Sequence, residues 1–232
     1  MKRLIRLQVR NIFHNKLFYI CLGLTLLAPF LSTLITKEKT LLIPEIASFL
    51  NAEISFIGII FIAVFCCYDF SDGTTKNIIG RGYTRNQFLF SKYVACAVGL
   101  FTMYLAVVLL DVILYAKNGI GYDATQLYMI INSIFSIIAY IILFATASVL
   151  LEKNGSSIIA CLFVPNLIGS AILLIDSKMK LNIGDYWIDA ASSRFFENPT
   201  LNNLLISILY FAVYSCLFIF IGTRIFKKKE IK

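Results

Sequence analysis

The residues best suited to chemistry in this chain are gathered in one polar stretch, residues 69–92. It holds Asp69, Asp72, Gly73, Thr74, Lys76, Ile78, Ile79, Gly80, Arg81, Gly82, Thr84, Arg85, Gln87 and Lys92 between two strongly apolar runs. Carboxylates, cations and hydroxyls at this density suit ion pairing and the docking of a partner. They do not form a nucleophile–base pair. The remaining catalytic signatures are absent from the sequence: no GxxxxGK[ST] phosphate loop, no HExxH, no GxSxG and no paired intramembrane carboxylates occur. The single histidine, His14, belongs to a basic N-terminal segment, and the expectation is a chain without catalysis of its own.

Two short helices with a break are expected across this stretch. Asp72 (or Ser71) is placed to cap a turn that starts near Gly73 and runs to Ile79, and Gly80-Arg81-Gly82 breaks it. Thr84 and Gln87 match a capping box, in which a Thr hydroxyl and a Gln side chain satisfy each other's free backbone amides. That box opens a helix running through Lys92. Ile78 and Ile79 are the apolar residues of the first short helix and are expected to pack on a partner.

The elements that hold the stretch are membrane spans. Of 232 residues, 59% are hydrophobic and 15% charged, against about half and a quarter in soluble domains, and mean hydropathy is +0.82. Six apolar runs are expected to span, at roughly 17–36, 54–68, 93–116, 127–151, 157–175 and 201–223. The second is short for a hydrocarbon core about 30 Å thick and is expected to extend back through Phe49. The fold class is therefore all-α integral membrane, a single transmembrane domain over residues 1–232.

Charge placement sets the expected topology. Of the 21 Lys and Arg, fifteen fall in segments 1–16, 69–92, 152–156 and 224–232, whereas acidic residues favour the opposite side by eight to four. The positive-inside rule then puts both termini in the cytoplasm of a multi-pass cell-membrane protein. The net charge of +8 reads as this topology signal, with no nucleic acid as partner. Arg3, Arg6, Arg10 and His14 recur at helical spacing opposite Ile5, Val9 and Ile12. Residues 1–16 are thus expected as an interfacial helix on anionic lipid or as a plain basic flank.

Six cysteines lie inside the apolar runs without metal-ligand spacing and read as small buried side chains. The fifth run contains Pro165 and Asn166, a kink that suits a substrate pathway or simple packing. Asp111, near the outer end of the third run, is a weaker pathway candidate. The external segment 176–200 mixes Tyr186, Trp187, Phe195 and Phe196 with Asp185, Asp189, Arg194 and Glu197. An aromatic cap on the membrane is favoured there over a ligand site.

The six runs, the basic N-terminal segment and the acidic-x-x-x-Gly-Thr…Arg…Lys pattern after the second run resemble the type-2 ABC transporter permeases. They are nearest in flavour to small Firmicute subunits of bacteriocin or lantibiotic self-immunity and antimicrobial-peptide export. The architecture covers the whole chain. The sequence-specific part is residues 69–92, where Asp69 stands at a position the family often fills with Glu, and Gly73, Thr74, Arg85 and Lys92 fall on matching positions. The resemblance implies a coupling helix between spans two and three, seated in a separate cytoplasmic ABC ATPase that supplies ATP and Mg. No cofactor is expected in this chain. It further implies a second permease, as homodimer or heterodimer, and ATPase-coupling roles for Asp69, Asp72, Gly73, Thr74, Lys76, Ile78, Ile79, Arg81, Thr84 and Arg85. The competing expectation is a stand-alone immunity or sensor protein that binds a toxin through residues 176–199. Secondary transport is a third class.

Overall fold

In the computed structural model, the described residues are 1–35, 43–118, 124–179, 187 and 194–228. The named elements are eight α-helices: α1 (Lys2–His14), α2 (Lys16–Ile35), α3 (Ile43–Ser71), α4 (Thr74–Gly80), α5 (Arg85–Asn118), α6 (Ala124–Leu151), α7 (Asn154–Met179) and α8 (Leu201–Lys228). No strand occurs among the described residues. Helices are what lipid permits, because each backbone amide is satisfied within its own segment.

Among the described residues four helices, α5 to α8, are long and apolar enough to cross a membrane. A further bent pair, Phe56–Phe70 with Thr74–Gly80, passes the same test when counted as one unit broken by 63°. The second apolar run does extend back: α3 continues helical to Ile43. The capping-box helix and the third run are one continuous rod, α5, of 34 residues.

The packed centre lies between α3, α5 and α6, with α2 and α1 against it. Phe61, Cys66, Cys96, Met103, Val107, Ile141 and Ala145 belong to this core. α6 and α8 pack side by side, and the approach is close: a Cβ on Gly222 would stand 2.7 Å from Thr146 Cγ2. Small residues let helix backbones meet in lipid, where no hydrophobic force drives them together. Two buried hydroxyl contacts hold α6 to its neighbours: Tyr93 of α5 to Thr146 at 2.6 Å, and Ser207 of α8 donating to Asn132 at 2.7 Å.

Five cysteines are buried and free, as their apolar setting suggests; Cys216 is exposed. α7 differs from its neighbours. It rests Ser157 and Cys161 inward, but turns Ile159, Phe163, Leu167 and Leu174 outward, an apolar surface suited to lipid. It is joined to α6 through Glu152 and Lys153 alone, with Glu152 in the left-handed region at φ 62°.

Candidate functional site

Asp69, near the C-terminal end of α3, is the centre of the site. It is 4% exposed, and a buried carboxylate is tolerated only when paired and hydrogen-bonded. Its Oδ2 accepts from Lys92 Nζ of α5 at 2.8 Å and from Gln8 Nε2 of α1 at 2.7 Å. Thr74 Oγ1, in the first turn of α4, lies 2.9 Å from Oδ1 and 3.1 Å from the Asp69 carbonyl, so its one proton is shared between these acceptors. One side chain therefore joins four helices.

Lys92 is fully enclosed. Besides Asp69 it donates to the Phe65 carbonyl at 3.1 Å, and its ammonium stands 4.3 Å from the Phe65 ring centroid and 5.7 Å from that of Phe88. The aromatic faces supply partial negative charge where water is excluded. Lys92 closes the sequence pattern but is absent from the coupling residues expected above; the structure makes it Asp69's counter-ion.

The break between α3 and α4 is built by glycine. Gly73, at φ 66°, is the N-cap residue of α4 and provides no side-chain cap; a left-handed turn of this kind strains residues with a Cβ. The expected cap by Asp72 does not form. Asp72 is exposed and hydrogen-bonds the Tyr68 hydroxyl one turn back, while the threonine that follows the turn bonds Asp69 instead. α4 starts at Thr74 and takes in Gly80, and the chain leaves it through Gly82 at φ 88°. The Arg81 and Gly82 amides close the last turn on the Asn77 and Ile79 carbonyls at 3.1 and 3.0 Å.

The capping box forms as its spacing dictates. Thr84 N donates to Gln87 Oε1 at 3.0 Å, and Gln87 N to Thr84 Oγ1 at 3.3 Å. Arg85 reaches the far end of the chain: its Nη1 donates to the Lys227 carbonyl at 2.7 Å and lies 3.4 Å from that of Phe226, capping the C-terminus of α8. Beneath it Phe70, Phe88 and Phe226 form an aromatic triangle with centroids 5.8–6.4 Å apart. α1, α4, the first turns of α5 and the last turn of α8 thus share one end of the bundle.

Of the residues singled out by sequence, Asp69, Thr74 and Arg85 carry contacts between helices. Lys76 on α4 and Arg81 just after it are exposed. Ile78 is half-buried and leans on the main core, so it is not wholly offered to a partner; Ile79 is half-buried but is not among the described residues packed there. Pro165 and Asn166 lie inside α7, remote in sequence from this cluster. Asn166 is exposed, its Nδ2 donating to the Leu162 carbonyl at 2.6 Å. Asp111 falls in α5, but its side chain lies outside the described residues, as do Tyr186, Asp185 and Asp189. Trp187 meets Tyr214 edge-on at 6.1 Å, and Phe195 is buried with Met129 and Leu204, contacts of the kind an aromatic cap would make.

Gln8 is the residue the sequence pattern did not single out. The buried stripe of α1 is Leu4, Gln8 and Ile12, while Ile5 and Val9, on the side opposite the basic stripe, are half-buried. Its signal was an amide exactly four residues from an apolar neighbour on each side. Among the described residues no group of His, Cys, Asp and Glu could hold a metal ion.

No curated protein and no solved structure is detectably similar to this chain. One family model matches, over residues 26–232, and so includes Asp69, Thr74 and Lys92 but not Gln8. The chain belongs to that family, DUF2705, described as a protein of unknown function.

Proposed function

We propose that this chain is the membrane permease subunit of an ABC exporter, with α4 as the helix that docks on a separate cytoplasmic ATPase. The observation that carries the reading is the Asp69 junction. α4 is a seven-residue helix at one end of the bundle, tied through one buried carboxylate to α1, α3 and α5. Lys76, Asn77 and Gly80 are left exposed on it, and Arg81 just after it. A push on such a helix is delivered to three others at once, which is what coupling between a motor and a membrane pathway requires.

In this proposal α2 and α3 join α5 to α8 as six spans, and both termini are cytoplasmic, as the distribution of Lys and Arg favours. Two permeases and two ATPases form the working unit. ATP and Mg are bound by the ATPase, and its closure moves an amphipathic or hydrophobic substrate such as an antimicrobial peptide outward. Pro165 supports a place for α7 in the pathway wall, since a proline frees the carbonyl four residues before it and lets the helix bend.

The test is purification of this chain co-expressed with its genomic neighbours, with nucleotide hydrolysis assayed on what co-purifies. A stoichiometric ATPase that is lost when residues 74–81 are altered is the expected result. Recovery of this chain alone, with no ATPase bound, would overturn the proposal in favour of a stand-alone immunity or sensor protein.

A further inference from the structure

Beside the Asp69 junction, α1 and the start of α2 enclose a cleft of about 380 Å³ with the feet of α3 and α5, within the ~300–1,000 Å³ usual for ligand sites. Its wall includes Gln8, His14, Asn15 and Lys16 together with the Asp69–Lys92 pair. The chemistry of this wall is specific. Asp69 and Lys92 cancel each other, so Lys16 leaves the cleft with one uncompensated positive charge. Asn15 Oδ1 is used by the Leu17 amide at 2.9 Å, where α2 begins, and the positive end of that helix adds to the charge.

The same wall has acceptors to spare. His14 Nδ1 stands 2.9 Å from the Arg10 carbonyl, which can only accept, so Nδ1 carries its proton there; in that tautomer Nε2 is an acceptor. Gln8 is 1% exposed, and its Oε1 has no donor, although a buried amide oxygen ordinarily finds one. A ligand that completes this cleft has one negative charge and hydroxyl donors. An ammonium headgroup would restore the excess positive charge, and a trimethylammonium group has no proton to donate.

We propose that this cleft binds the headgroup of an anionic phospholipid with a hydroxylated head, the phosphatidylglycerol type. The phosphate sits against Lys16 and the start of α2, and the hydroxyls donate to His14 and the amide side chains. Exposed Arg3, Arg6 and Arg10 on α1 suit the surrounding anionic surface. The site holds α1 at the membrane plane next to the Asp69 junction. It rests on the membrane reading of the chain and not on the presence of an ATPase.

The test uses the full chain in detergent, with bound lipid read by native mass spectrometry from an equal mixture of phosphatidylglycerol and phosphatidylethanolamine. At about 1 kcal/mol per basic residue near the surface, phosphatidylglycerol is expected about fivefold enriched. Lys16→Gln and His14→Ala each bring the ratio towards parity, whereas Arg10→Gln, which removes the same charge outside the cleft wall, leaves it in place. Equal losses in Lys16→Gln and Arg10→Gln would mean bulk attraction to α1 and overturn the site, as would no enrichment in the native chain. Glycerol 3-phosphate is the headgroup-only arm. Its displacement of lipid at equal concentration would assign the cleft to a free phosphate ester and overturn the lipid assignment. All three residues are exposed or half-exposed, and unchanged thermal unfolding excludes loss of fold as the cause.

Discussion

Lys92 Nζ stands 2.8 Å from Asp69 Oδ2, with the two side chains only 1% and 6% exposed. Neither charge has water to fall back on, so each is tolerated because of the other. Removing one partner is expected to cost about 3–5 kcal/mol, since it strands the other charge. Asp69→Asn and Lys92→Met should both lower the unfolding midpoint in detergent, and the double variant Asp69→Asn/Lys92→Met, which keeps an acceptor for Gln8 and Thr74, should be less unstable than the sum of the two. A double variant as unstable as the sum of the singles would show that the two act independently.

The exposed side of α4 separates docking from folding. Lys76→Glu combined with Arg81→Glu, both exposed, should leave thermal stability within about 0.5 kcal/mol, as surface changes usually do. In the proposed complex it should weaken co-purification of the ATPase by at least about tenfold, 1.4 kcal/mol. Ile78→Asp is a poorer probe, because Ile78 packs on the chain's own core and its loss would unsettle the fold. Undiminished ATPase recovery with Lys76→Glu/Arg81→Glu would remove α4 as the docking element.

Arg85 should matter for the end of α8. Without its guanidinium the Phe226 and Lys227 carbonyls lose a charged donor, worth about 1–2 kcal/mol at a half-exposed position. Arg85→Ala is expected to raise amide exchange in the last turn of α8 while the α3–α5–α6 core keeps its protection. Uniform loss of protection across the bundle would contradict this local role.

Gly222→Ala tests the α6–α8 contact. The added methyl would meet Thr146, a β-branched residue whose hydroxyl is already held by the Ile142 carbonyl and Tyr93, so the neighbour cannot swing aside. Overpacking of this kind costs about 1–3 kcal/mol, read as a lower unfolding midpoint. An unchanged or higher midpoint would show that the two helices separate without strain.

The capping box at Thr84 and Gln87, the glycine break and the backward extension of α3 were legible because each is written within a few neighbouring residues. The Asp69–Lys92 pair was half legible: both residues stood out as charges beside apolar runs, but 23 positions of sequence hid that they meet. Gln8 is 61 residues from the carboxylate it bonds, and its spacing of four residues from Leu4 and Ile12 marks the buried face without naming the partner. Asp72 misled because local chemistry offers it a cap, whereas Tyr68 and the left-handed Gly73 compete for the same turn. The division of Ile78 from Ile79 is set by tertiary packing and is not visible in two adjacent identical residues.

α5 also has a mechanical property. Its 34 residues rise about 51 Å, well beyond a hydrocarbon layer about 30 Å thick. Lys92 sits near one end of this rod and Asn118 at the other, about 39 Å further on. If the rod pivots at its ion-paired foot, a tilt of about 10° carries the distant tip sideways by about 7 Å, several times the diameter of a carbon atom. Gearing of that ratio turns a modest shift at one membrane face into a wide one at the other.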